Sequence, residues 1–204
     1  MYSIDDAKKI ITKISNTVIQ NKDTLSDLDS KSGDGDLGIS MEAAFTAINA
    51  SCREYDGDDL GAMLLKASMA CNRAAPSTMG TLISSGILSV AKLMKSKTSI
   101  EEQEVITLPR IFSEGIVSRG KAELGDKTIL DALVPMANAV EETFAETKDL
   151  NQSFKAGAVA AGAAAEATRG MQARIGRAKW LGKRAAEYPD AGAMLCAIIA
   201  KSLV

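Results

Sequence analysis

Asp29, Asp34 and Asp36 fall within eight residues in the stretch Leu28-Asp29-Ser30-Lys31-Ser32-Gly33-Asp34-Gly35-Asp36-Leu37-Gly38-Ile39-Ser40. Carboxylates this close repel, so a fold that orders them normally supplies a cation, and Mg²⁺ takes oxygen ligands from a few carboxylates together with phosphates. Gly33, Gly35 and Gly38 let the backbone turn and approach a ligand. The helix expected straight afterwards offers unpaired N–H groups to an anion. Together these features point to a metal-bridged phosphate site. A solvated acidic turn is the other reading of the same residues, because Asp and Gly are ordinary turn formers.

Two familiar motifs are excluded. Gly33, Gly35 and Gly38 satisfy GxGxxG, but the polar Asp27 to Ser32 cannot be the buried strand which that dinucleotide fingerprint requires. A calcium loop starting at Asp34 would put Ile39 at its obligatory glycine, and one starting at Asp27 would put Lys31 at a ligand position.

Two further stretches resist a packing explanation. Gly115, Gly120 and Lys121 nearly spell a Walker A loop, yet Ala122 stands where a metal-binding hydroxyl belongs, and a helix rather than a strand is expected before it. What survives is a Gly120 turn that lets the backbone near a ligand. Met171 to Asp190 carries Arg174, Arg177, Lys179, Lys183 and Arg184 around Gly176, Trp180 and Gly182. Such a basic loop is either solvated or the positive partner of the Asp cluster, since guanidinium grips phosphate oxygens in a two-toothed fork.

The 204 residues suit a single domain, 1–204, and the formal charge of −2 gives no basic field for nucleic acid or anionic membrane. Cys52, Cys71 and Cys196 are odd in number and form no CxxC pair, which fits thiols of a cytoplasmic protein rather than a disulfide framework. Neither an export signal nor a membrane span is expected. The chain has no histidine, so any phosphate moved here is carried by another molecule.

Apolar spacing predicts helices over 4 to about 22, 41 to 50, 60 to 71, 82 to 94, 100 to 117, 128 to 147, 151 to 168 and 190 to 203. Ser3 with Asp6 reads as a capping box, Asp56 to Asp59 as a break and helix start, and Pro76-Ser77 as a cap. No stretch alternates as a half-buried strand would. The fold class is therefore all-α, and short connections make antiparallel up-and-down packing the simplest topology.

With the three loops in view, the chain resembles the ADP-binding L subunit of dihydroxyacetone kinase. The resemblance lies in Gly33-Asp34-Gly35-Asp36-Leu37-Gly38, in Ser118-Arg119-Gly120-Lys121-Ala122-Glu123 with Gly125-Asp126-Lys127-Thr128, and in Met171-Gln172-Ala173-Arg174 with Gly176-Arg177-Ala178. It implies an eight-helix antiparallel barrel with a nucleotide at one end. It also implies two Mg²⁺ ions on Asp29, Asp34 and Asp36, and ADP or ATP contacts at Leu37, Gly38, Ile39, Ser40, Thr78, Met79, Gly120, Ile129 and Arg177. Asp190, Ala191 and Gly192 would close the site. Arg177 would carry the catalytic charge, and the acceptor ketose would sit on a separate substrate-binding K subunit. Where the family has histidine this chain has Leu37, its glycine pair is Pro76-Ser77, its Asp-Pro-Gly turn is Asp190-Ala191-Gly192, and a second histidine is Tyr188. The donor, a phosphotransferase-system phosphocarrier or ATP, and the acceptor, dihydroxyacetone or a ketose such as erythrulose, stay open. So do the oligomeric state, a homodimer included, and two rivals: a nucleotide-binding regulatory module without phosphotransfer, and a plain structural bundle.

Overall fold

In the computed structural model, which describes residues 1–204 with the side chain of Lys183 excepted, the order is β1 (Tyr2–Ser3), α1 (Ile4–Gln20), α2 (Lys22–Ser32), α3 (Leu37–Arg53), α4 (Leu60–Ala74), α5 (Thr78–Leu93) and β2 (Ser99–Ile100). There follow α6 (Glu102–Val105), α7 (Leu108–Gly120), α8 (Leu130–Thr147), α9 (Leu150–Ala167), α10 (Ala178–Leu181), α11 (Lys183–Ala186) and α12 (Ala191–Ser202). The expected all-α class holds. Among the described residues no helix is long and apolar enough to cross a membrane.

Local chemistry sets the helix starts. The Ser3 hydroxyl accepts from Asp6 N–H while the Asp6 carboxylate accepts from Ser3 N–H, completing the expected capping box. Asp59, Ser77, Asp149 and Asp190 cap α4, α5, α9 and α12 in the same way, each accepting the N–H three residues on.

Eight long helices close a ring in which α1 packs on α3, then α4, α5, α7, α8, α9 and α12 follow in turn, and α12 returns to α1. Each buries an apolar stripe inward, with Val18, Met41, Met63, Ile83, Ile116 and Leu195 all below 2% exposed. An apolar cavity of about 550 Å³ lies inside the ring. Neighbours run antiparallel, so the starts of α3, α5, α8 and α12 and the ends of α7 and α9 meet at one end.

Three expectations need correction. The acidic stretch is not all loop, because α2 occupies 22–32, placing Asp29 in its last turn and Leu25 in the core. Residues 100–117 are not one helix: α6 ends at Val105, and Pro109 belongs to the first turn of α7, where its missing N–H costs nothing. A two-residue antiparallel ladder, Tyr2 opposite Ile100 and Ser3 opposite Ser99, ties the N-terminus to the segment after α5.

The three cysteines are buried. Burial pushes Cys52 and Cys71 up to about 11 and Cys196 up to about 12, which leaves them as inert core thiols.

Candidate metal and phosphate site

Asp29 from α2, and Asp34 and Asp36 from the turn that follows, each offer a carboxylate oxygen within 4.8 Å of the others. Gly35 makes the turn possible with φ 78°, a left-handed backbone that suits glycine. Asp29 is held in place, since Leu37 N–H donates to its Oδ2 at 3.2 Å and Gly33 N–H to its carbonyl at 2.5 Å. Gly38 serves packing as much as any ligand, because a Cβ there would stand 2.0 Å from the Lys22 carbonyl oxygen. Leu37 itself points into the core at 6% exposure, so its polar contribution to the site is its N–H.

At the start of α3, Ser40 N–H donates to the Asp36 carbonyl and Leu37 N–H to Asp29, whereas the N–H groups of Gly38 and Ile39 have no protein partner among the described residues. Unpaired donors at the positive end of a helix dipole favour an anion. The exposed Arg177 guanidinium reaches across from the basic strap and pairs with Asp34. A trio of hard oxygen donors fits Mg²⁺, and the guanidinium beside it fits phosphate.

A second group of expected residues converges at the same end. A Cβ on Gly192 would lie 2.7 Å from Met79 Cε, 3.1 Å from Asp190 Oδ1 and 3.4 Å from Ile129 N, so the starts of α5, α8 and α12 touch. Thr78 is exposed beside Met79, Ala191 is buried beside Gly192, and Gly120 ends α7 against Leu82 of α5. The helix before Gly120, and the left-handed Lys121 that caps it at φ 59°, bear out the exclusion of a Walker loop. The two groups are joined by the strap: Lys31 of α2 lies 5.5 Å from the Tyr188 ring centroid, two residues before Asp190.

Sequence reasoning assigned no role to Asp126, Lys127, Asp131 or Thr168. Asp131 accepts from Gly125 N–H at 2.6 Å and Thr128 N–H at 2.7 Å, which shapes the turn entering α8. The Thr128–Asp131 spacing is a capping-box signal that could have revealed it. Thr168 accepts from Asp190 N–H at 2.7 Å. Lys127 is buried with its ammonium on three carbonyls, which no side-chain pattern announces.

Burial pushes the Asp190 carboxyl up to about 6 from its ordinary 3.8, against the pull of Ala193 N–H and the Lys127 charge. The folded chain thus holds this proton more tightly than the unfolded one. The stability Asp190 gives in acid is lost as pH rises from about 4 through about 6. Asp190→Asn keeps the cap and cannot ionise. In thermal melts without ligand its stability relative to the parent should therefore rise across that window, by at most about 3 kcal/mol, and stay level above it. A difference that does not vary with pH would refute this.

The ring is an all-α barrel, and its one end gathers three carboxylates, a guanidinium and the unpaired N–H groups at the start of α3. Residues 31–204 match the DAK2 domain, and the chain belongs to that family. It is 30% identical over 198 residues to the PEP-dependent dihydroxyacetone kinase 1 ADP-binding subunit DhaL of Listeria innocua, covering 97% of this chain and 94% of that protein. It is 28% identical over 183 residues to the PEP-dependent dihydroxyacetone kinase ADP-binding subunit DhaL of Escherichia coli, covering 90% of this chain and 87% of the relative. The crystal structure of the C. freundii dihydroxyacetone kinase in complex with AMP-PNP and Mg²⁺ superposes with a TM-score of 0.70 at 23% identity. That match covers 96% of this chain and 33% of the other.

Proposed function

We propose that this chain is the nucleotide-binding subunit of a dihydroxyacetone-type kinase, holding Mg·ADP or Mg·ATP and passing phosphoryl to a small ketose on a separate substrate-binding subunit. The observation that carries the reading is the Asp29–Asp34–Asp36 trio with Arg177 laid on it, beside the unpaired N–H groups of α3. Relatives of nearly full length named as ADP-binding subunits support it.

Asp29, Asp34 and Asp36 are the residues to hold two Mg²⁺ ions, which when bound neutralise phosphate charge and orient the transferred group. Gly38 and Ile39 N–H groups, with Ser40 behind them, cradle phosphate oxygens. Arg177 neutralises charge on the moving phosphoryl group and is the catalytic side chain. Thr78, Met79, Gly120, Ile129, Asp190, Ala191 and Gly192 enclose the rest of the nucleotide. The protein positions and neutralises, while the nucleotide carries the group, so no histidine is needed. A phosphotransferase-system phosphocarrier is the donor that fits a subunit keeping its ADP, and ATP is the donor that fits one exchanging it.

Native mass spectrometry of the purified chain tests the reading. The expected result is a species heavier by one adenine nucleotide with bound Mg²⁺. A chain that stays bare in millimolar Mg·ADP would contradict it.

A further inference from the structure

Arg177 sits on a strap, residues 168–190, with little regular structure of its own: its helices α10 and α11 are single turns, and Gly170, Gly176 and Gly182 all have positive φ. Its position over the Asp cluster must come from outside anchors. Lys127, in the loop between α7 and α8, supplies them. It is 2% exposed and adopts a left-handed backbone, φ 62°, which few non-glycine residues tolerate. Its Nζ donates to the carbonyls of Thr168 at 3.1 Å, Ala185 at 2.8 Å and Tyr188 at 2.7 Å. An ammonium has three protons, and all three are used.

These acceptors lie at the start of the strap and, twice, within its last six residues, so they gather its two ends on either side of Arg177. A buried ammonium is costly unless every proton is matched, and a neutral core residue would hold the α7–α8 loop without that cost. What the lysine adds is a buried three-point tie between the two ends of the segment, which also meet through Gly170 N–H donating to the Ala186 carbonyl at 2.7 Å. A second tie runs beside it, with Arg174 N–H donating to the Asp126 carbonyl at 3.1 Å and the Arg174 guanidinium 3.7 Å from the Asp126 carboxylate. Arg177 is three residues further along.

We propose that Lys127 is a positioning residue: it fastens the strap and so holds Arg177 over Asp29, Asp34 and Asp36. The link to nucleotide rests on the function proposed above; the fastening does not. Two readouts on the full chain separate them. With Lys127→Met, trypsin should cut the strap at Arg174, Arg177, Lys179 or Arg184 at least ten-fold faster than in the parent, with the helical circular dichroism retained. In calorimetry with Mg·ADP, Lys127→Met and Arg177→Ala should each weaken binding about ten-fold, as loss of one charge-assisted contact implies. The double variant should bind no more weakly than either, because both remove the same guanidinium.

A parental cleavage rate in Lys127→Met overturns the proposal, and so does a double variant about a hundred-fold weaker, which would mean that the two act independently. Lys127→Arg keeps charge and donors and should bind and resist trypsin between parent and Lys127→Met. If both Lys127 variants are unfolded, the residue is a folding determinant and the proposal fails. If the parent binds no Mg·ADP, the nucleotide assignment falls and the trypsin rates alone decide the fastening.

Discussion

The paired substitution Asp34→Asn with Asp36→Asn should abolish stabilisation by Mg·ADP without unfolding the chain. Three carboxylates within 4.8 Å of one another are a liability without a cation and a ligand set with one. Two neutral amides relieve the repulsion and leave too little charge to hold Mg²⁺ against water. The ligand-free variant should therefore melt at or above the parent temperature, the loss of the exposed Arg177–Asp34 pair being worth no more than about 1 kcal/mol. A ligand at a hundred times its dissociation constant stabilises by about 2.7 kcal/mol. For a chain of this size that is a rise of roughly 5–10 °C, present in the parent and absent in the variant. An equal rise in both, measured by differential scanning fluorimetry, would remove the metal assignment.

Arg177→Ala should cost phosphoryl transfer far more than it costs nucleotide affinity. The guanidinium is exposed on a strap and faces the Asp cluster, so its contact strengthens only when charge spreads over the transferring group. Turnover with the substrate-binding subunit should fall roughly 10²–10³-fold while affinity falls about ten-fold. Arg177→Lys should recover only part of the rate, since an ammonium lacks the planar fork. Equal losses in rate and affinity would instead make Arg177 a plain binding residue.

How much of this was legible in the sequence depends on the range over which each signal acts. Ser3 with Asp6, Ser77 and Asp190 declared helix starts because capping is settled within four residues. The clustering of the Asp trio was legible because all three carboxylates lie in one short stretch. Helix α2 was hidden because its buried side rests on little more than Leu25 and Leu28, a weak stripe amid Ser, Asp and Lys. That omission also misread Gly38, whose tight neighbour is the Lys22 carbonyl of the unseen helix. The meeting of Met79, Ile129 and Gly192 is a consequence of ring closure, and no local pattern encodes it. The tie made by Lys127 has no sequence signal, since its partners are main-chain carbonyls on a distant segment and any residue types can supply those.

The most direct measurement is a reconstitution: the purified chain, a dihydroxyacetone-kinase substrate-binding subunit, Mg²⁺, dihydroxyacetone and either ATP or a phosphoenolpyruvate-driven phosphocarrier, with triose phosphate followed over time. Triose phosphate should form only when both subunits are present, and should vanish with Asp34→Asn and Asp36→Asn. Tight Mg·ADP binding with no turnover under either donor would contradict a kinase subunit and leave a nucleotide-binding regulatory module in its place.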